Sequence, residues 1–332
     1  MTLREMRTSP PRRSGPIRAF VALGLGLGLG LGLGLAVTAR AQAPQAGKSV
    51  PQAGKSAPQA EKSAPQAEKD APPPDKRVPM EPNAWPFTAI GRVNVVQGPA
   101  HRSHCTGTLV GPRHVLTAAH CLFDARLGDW VRPHQVHFVA GQARDLNAGT
   151  AEVEAIRLAP GIDLRAAAGP GRAGIAPAMI GRDWAILTLR QPLAPKPVPW
   201  LVLPDADLPG SRPGTVVALA GYAADRPYLP VIHRGCAVRI DAPATGMLSD
   251  LCESMSGESG APVLVLDADG TAALVGIHTA VTAGTRVGNA YRSASGVGVA
   301  AGSFAGALDE AVGKEGGKEA VGKRTVDGPV RP

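Results

Sequence analysis

Between about Asn83 and Val312, apolar residues arrive in short runs separated by Gly and Pro. Cys105–Val110, Gln135–Ala140, Trp184–Leu189, Thr215–Leu219, Ala237–Ile240, Pro262–Leu266 and Ala272–His278 have the length and the turn-forming borders of strands. Within Gln135–Ala140, alternation sends Val136 and Phe138 to one face and His137 to the other. Asp267-Ala268-Asp269-Gly270, joining the last two runs, predicts a hairpin. Short strands at this density mean an all-β sandwich or barrel, and roughly 230 residues suit one such unit. The period changes near the end. Phe304, Leu308 and Val312 recur every four residues, which predicts a short helix with Ser303 as its N-cap.

Outside this region the pattern carries no core. Arg4, Arg7, Arg12, Arg13 and Arg18 lead into an apolar run from Ala19 to Val37, and Ala39-Arg40-Ala41 has small-x-small cleavage spacing. Residues 1–41 therefore read as a secretory signal peptide. The run is long enough to anchor in a membrane. Gly, however, alternates with Leu from Gly24 to Leu35. Each Gly weakens a helix by about 1 kcal/mol relative to Ala, which favours a cleaved leader over stable insertion. Residues 42–82 hold a seven-residue repeat that starts at Ala43 and is copied from Val50, Ala57 and Ala64. Each copy carries Pro and lacks paired apolar positions, so it predicts a disordered spacer or pro-segment and not a coiled coil. Residues 313–332, a mixture of Gly, Lys and Glu, predict a disordered tail.

Export changes the charge argument. The chain carries 35 Lys and Arg against 27 Asp and Glu, a formal net charge of +8. Six Arg and one Glu fall in residues 1–41, which leaves 29 against 26, or +3, after cleavage. Aromatics are only 4% of the residues, so there is no basic stripe with interleaved aromatics to bind nucleic acid.

An exported protein pairs its cysteines. Four allow three connectivities, and the spacing favours Cys105 with Cys121 and Cys236 with Cys252, each 16 apart. A zinc site is disfavoured, because no Cys-x-x-Cys appears and the cysteines fall in separate halves. His101, His104, His134 and His137 read as surface histidines.

Three distant segments carry the chemistry: Thr117-Ala118-Ala119-His120-Cys121, Arg182-Asp183-Trp184-Ala185 and Gly257-Glu258-Ser259-Gly260-Ala261-Pro262. With Cys105-Thr106-Gly107-Thr108-Leu109-Val110 upstream, and in the order His, Asp, Ser, they resemble the trypsin/chymotrypsin-like serine proteases. An α/β-hydrolase would order its triad Ser, Asp, His. The resemblance covers about 83–312 and implies two six-stranded antiparallel β-barrels with the site between them; the helix read from the Phe304, Leu308 and Val312 period is expected to pack on the second barrel. It implies His120 as general base, Asp183 as the carboxylate that orients it, Ser259 as nucleophile, and the Gly257 and Ser259 amides as oxyanion hole. It further implies acyl-enzyme hydrolysis of protein or peptide substrates by a secreted monomer, periplasmic or extracellular, with no cofactor and no metal.

Two departures stand out. Glu258 and Ala261 replace the Asp and Gly that many members carry around the nucleophile. In the trypsin branch that Asp receives the ammonium freed on zymogen activation, and no Ile-Val-Gly-Gly start is visible here. The start near Trp85 resembles the bacterial glutamyl-endopeptidase (V8-like) branch. The P1 wall is expected from Leu274–Thr279 and Glu253–Ser256, with Glu253, Ser254, His278 and Thr279 as substrate-binding candidates. His278 resembles the histidine that binds an acidic P1 side chain, whereas Glu253 sits near where trypsin-like enzymes attract Lys or Arg. Both readings stand at this point, as does a catalytically silent homologue used as a binding or surface-displayed module.

Overall fold

Alternating buried and solvated positions close the first half of the fold. In the computed structural model, residues 75–165, 175–204, 206–208, 210–241, 245–282, 284–287 and 290–315 are described. Strands Ile90–Gly98, His101–Gly111, His114–Thr117, Ala185–Leu189, Gly149–Leu158 and Val136–Ala140 pair in that order, all antiparallel, into a closed barrel. Val136 and Phe138 are fully buried, as their alternation predicts, and join Val93, Leu109, Val115, Val153, Leu187 and Leu189 in one core. His137 keeps 41% side-chain exposure.

The second half is a larger sheet. Its path runs Val78–Pro79, Val231–Arg234, Thr215–Gly221, Pro262–Asp267, Ala272–Val281, Gly296–Ala300, Met247–Asp250, Val238–Ile240 and Ala206–Leu208, with Ser211–Arg212 branching from Thr215–Gly221. Among the described residues, hydrogen bonding does not close this path into a ring. Its packed face is a second cluster that includes Val217, Leu219, Val238, Leu248, Val263 and Val275. The predicted hairpin forms: Leu266 lies opposite Ala272, and the Asp267 and Thr271 backbones bond at 2.9 Å across the turn. All seven runs predicted as strands hold a strand: four are extended by one or more residues, and the strands at Val136, Ala185 and Val238 begin one residue later than predicted.

The helix spans Ala305–Glu315; Leu308 on it and Phe304 just ahead of it are fully buried. Two expectations about it are corrected. Ser303 does not cap it: the hydroxyl donates to the Gly246 carbonyl at 3.1 Å, and a 3-10 turn, Ala301–Ser303, leads into the helix instead. Nor does it pack chiefly on the second barrel. Phe304 meets Trp184 edge-on at 6.4 Å, and Arg157 on a first-barrel strand bonds Glu310 at 2.7 Å. Trp184 supplies the large apolar surface that the helix needs, and the helix goes to it.

Residues 75–82, which composition places with the spacer, have a definite conformation. Val78–Pro79 adds a strand to the edge at Val231–Ile232, and the Met80 amide donates to Pro230 at 3.0 Å. The leader, the repeats and the tail beyond 315 lie outside the described residues. No helix among the described residues is long and apolar enough to cross a membrane.

Cys105 is bonded to Cys121 and Cys236 to Cys252, each across 16 residues. Loops of this size are stabilised by about 3 kcal/mol in the chain-entropy model. Replacing Cys236 and Cys252 together by Ser is therefore expected to lower the unfolding free energy by about that amount in a urea titration. A midpoint equal to that of the parent protein would contradict the assignment, as would a crossed pair in a non-reducing peptide map.

Candidate active site

Pairing of His114–Thr117 with Ala185–Leu189 puts Thr117 opposite Ala185, so the chain leaving one strand runs beside the chain entering the other. His120 follows in the 3-10 turn Ala119–Leu122, and Asp183 terminates the 3-10 turn Pro177–Arg182. The carboxylate therefore holds His120 at two points. Asp183 Oδ2 lies 2.7 Å from Nδ1, and Oδ1 accepts the His120 backbone N–H at 2.8 Å. The Asp183 side chain is fully buried, while the imidazole keeps 27% exposure. Burial opposes the charged ring, but the adjacent Asp183 charge outweighs it and raises the His120 pKa above its ordinary value. With Nδ1 donating to the carboxylate, the neutral ring presents Nε2 as an acceptor.

Ser259 sits on the turn that feeds strand Pro262–Asp267. Cys121 Sγ lies 3.9 Å from both His120 Nε2 and the Ser259 carbonyl, so one sulfur of the disulfide touches both the imidazole and this turn. The Ser259 hydroxyl donates to the Thr279 carbonyl at 3.4 Å, a long bond that is readily exchanged for a better acceptor. Two glycines make the turn possible. Gly257 has φ +97°, and a Cβ there would meet the Tyr222 carbonyl at 2.5 Å and His104 Nε2 at 2.6 Å. Gly260 has φ +80°, and a Cβ there would run into the backbone of Thr106 and Ala118. No acceptor among the described residues takes the Gly257 or Ser259 amide.

Thr106 fixes the turn to the first barrel. Its amide donates to the Ser259 carbonyl at 2.9 Å, and its hydroxyl donates to the Gly257 carbonyl at 3.0 Å while accepting the Tyr222 amide at 2.9 Å. The expectation of a surface His104 is corrected. The ring is mostly buried behind Gly257 with Nε2 3.2 Å from the Tyr222 carbonyl, and burial together with nearby Arg92 pushes its pKa down to about 4. It is neutral at working pH and donates that bond. His101 and His134 are exposed, as expected.

The candidates for the P1 wall separate into two groups. His278 is buried, with Nδ1 2.9 Å from Asp250 Oδ2. Burial opposes its charge, but Asp250 and Glu258 outweigh that and raise its pKa. Ser254 Oγ is buried with no hydrogen-bond partner among the described residues. Thr279 supplies the carbonyl that holds Ser259, and its own hydroxyl donates to Val297 at 3.3 Å. Glu253 is otherwise committed: its carboxylate accepts the Lys76 amide at 2.8 Å and is 5% exposed. Glu258, beside Ser259, is also buried. It accepts the Met255 amide at 2.8 Å and faces Arg77, and burial pushes its pKa up to about 7 against the pull of that guanidinium.

Among the described residues, one group has metal-ligand spacing: Cys105, His120 and Cys121. Both sulfurs are consumed in a disulfide, so the group offers one imidazole and no metal site.

Thr106, Asp250 and Arg77 were not among the residues singled out by sequence. Only Thr106 lies within a quoted motif, where its residue type gave no hint of a bridging role.

The chain is similar to serine protease 23 of Rattus norvegicus, 31% identical over 172 residues, which is 48% of this chain and 43% of that protein. The Homo sapiens protein of the same name is 30% identical over the same shares. The chain thus spans less than half the length of these curated relatives. Among solved structures, a Glu endopeptidase in complex with MPD matches with a TM-score of 0.52 and 18% identity, over 73% of this chain and 98% of that one. At that identity the likeness is one of fold. The family model for trypsin matches residues 76–300, which include His120, Asp183 and Ser259, and the chain belongs to the trypsin family.

Proposed function

We propose that this protein is an exported serine endopeptidase that cleaves through an acyl-enzyme formed on Ser259. The observation that carries the reading is the buried Asp183 carboxylate, bonded to both the ring and the backbone of His120. That geometry fixes the tautomer and stores the counter-charge for an imidazolium before any substrate arrives. The Ser259 hydroxyl leaves Thr279 and donates to His120 Nε2. Its oxygen attacks the scissile carbonyl as His120 takes the proton. The oxyanion is received by the free amides of Gly257 and Ser259. His120⁺ then protonates the leaving amine, and water enters by the reverse sequence. In this reading residues 1–41 direct export, the repeats from 42 to 74 tether or mask the enzyme, and 75–315 carry the protease.

The P1 residue is proposed to be acidic. Two observations support this over Lys or Arg. Ser254 Oγ is a buried hydroxyl with no partner among the described residues, and His278, whose charged form Asp250 favours, offers Nε2–H as a second donor when it is an imidazolium with Nδ1–H committed to Asp250. The competing acid, Glu253, is already engaged by the Lys76 amide. A carboxylate in the pocket satisfies both donors, whereas an ammonium would leave them unpaired.

Incubating the leader-free protein with a diverse peptide library, beside Ser259→Ala, is expected to give cuts after Glu and Asp that vanish in the variant. Cuts after Lys or Arg would return the pocket to Glu253, and the absence of Ser259-dependent cleavage would favour the silent module. Asp183→Asn is expected to lower kcat by on the order of 10⁴, since the ring loses its tautomer and its counter-charge. The pH profile gives an independent check. Activity needs neutral His120, so it falls as pH drops through a pKa that Asp183 raises. In Asp183→Asn the residual activity is expected to persist to lower pH than in the parent enzyme, and an acid limb that stays in place would contradict the pairing. His278→Ala is expected to lower kcat/KM for acidic P1 by 10²-fold or so while changing cleavage after neutral residues little.

A further inference from the structure

The segment upstream of the barrel brings one cation into the interior. Arg77 is 3% exposed, and its guanidinium is surrounded by carboxylates. Nε and Nη2 hold Asp75 at 3.0 and 2.9 Å, Nη2 reaches Asp225 at 3.1 Å, and Nη1 reaches Glu258 Oε2 at 3.3 Å. Arg226 braces Asp75 and Asp225 at 3.1 and 3.2 Å, and Arg292 lies 4.0 Å from Asp75. The backbone on either side is fixed as well, through Lys76 N–H to Glu253 and the strand Val78–Pro79.

Glu258 is the residue immediately before Ser259. The same Oε2 that meets Arg77 accepts the Met255 amide, and the Glu258 amide returns to the Met255 carbonyl at 3.0 Å. Carboxylate, Met255 and Glu258 backbone thus close a small ring, and the two amides left free, those of Gly257 and Ser259, are set by its shape. His278 is the other charged neighbour of Glu258, but it is paired with Asp250. Arg77 is therefore the cation that balances the Glu258 charge.

We propose that Arg77 is the positioning residue of the oxyanion turn, so that the turn is organised by an arginine within the intact chain and needs no newly cut amino terminus. This rests on the protease reading above. Without Arg77 a buried carboxylate is left without its counter-charge and must protonate or swing out. Either response releases the Met255 amide and lets Gly257 and Ser259 drift. A displacement of about 1 Å at such donors costs on the order of 10²-fold in rate.

The test uses Arg77→Met, Arg77→Lys and the double variant Arg77→Met/Glu258→Gln, assayed on a peptide that the parent enzyme cleaves. Arg77→Met is expected to lose on the order of 10²-fold in kcat with KM changed less than about threefold. Arg77→Lys and the double variant are each expected to recover at least about tenfold of that loss, one by restoring a charge and the other by removing the need for it. A melting temperature lowered with kcat intact would make Arg77 a structural residue only and overturn the proposal. Hydrogen exchange followed by mass spectrometry supplies a readout that needs no activity. Amides from Met255 to Gly260 are expected to exchange at least about tenfold faster in Arg77→Met, with the first barrel unchanged. Unchanged exchange there would sink the proposal even if the protein proved to be no protease, whereas faster exchange without any Ser259-dependent cleavage would fail the protease reading alone.

Discussion

Thr106 ties the two halves of the structure together through both its backbone amide and its hydroxyl. Strand His101–Gly111 belongs to the first barrel, whereas the Gly257–Gly260 turn feeds a strand of the second sheet. Hydrophobic contact between the two halves is non-directional and would tolerate a slip of an ångström or more. The three bonds of Thr106, to the carbonyls of Ser259 and Gly257 and from the Tyr222 amide, do not tolerate it. They are made by a fully buried residue, so each broken bond would leave a polar group without water to replace its partner, at about 1–3 kcal/mol apiece. The Cys105–Cys121 bridge beside it joins the same strand to the His120 turn. Adjacent residues 105 and 106 thus fix the imidazole on one side and the Ser259 turn on the other.

A second constraint is electrostatic. Asp183, Asp250, Glu253 and Glu258 are all buried around one turn, and burying a carboxylate is costly unless the charge is answered. Each has a different answer. Asp183 has His120, Asp250 has His278, Glu253 has the Lys76 amide, and Glu258 has Arg77 and the Met255 amide. Two of these four answers come from residues 76 and 77, ahead of the first barrel strand. The segment before the barrel is therefore part of the electrostatic design of the site, although composition alone assigned it to the spacer.

That division explains what could be read from sequence. The contact of His120 with Asp183 and the placement of Ser259 on a turn were legible because each residue sits in a local motif whose neighbours form the turn that presents it. Strands were legible where alternation was clean, as at Val136 and Phe138. Arg77 was not, because its meaning lies in an ion pair to Glu258 across 181 residues, and an Asp-Lys-Arg run resembles any solvated charge cluster. His104 failed for a related reason: nothing next to it in sequence shows that Gly257 will pack against its ring. The helix was legible in period but not in placement, since its docking surface is Trp184, more than a hundred residues upstream.

The arrangement around His278 also limits how an acidic side chain would be selected. Asp250 raises the pKa of the ring, so the imidazolium persists to higher pH, but the same carboxylate cancels most of its field. A substrate carboxylate entering the pocket would meet an ion pair of near-zero net charge, with Glu258 already balanced by Arg77. Selection of Glu over Gln then cannot rest on long-range attraction. It has to come from bond counting at short range. A carboxylate accepts from both His278 Nε2–H and Ser254 Oγ–H, whereas an amide must turn its NH₂ toward one of them and leave a donor facing a donor. Discrimination built this way is steep in geometry and shallow in ionic strength, because buried pairs are screened little by salt.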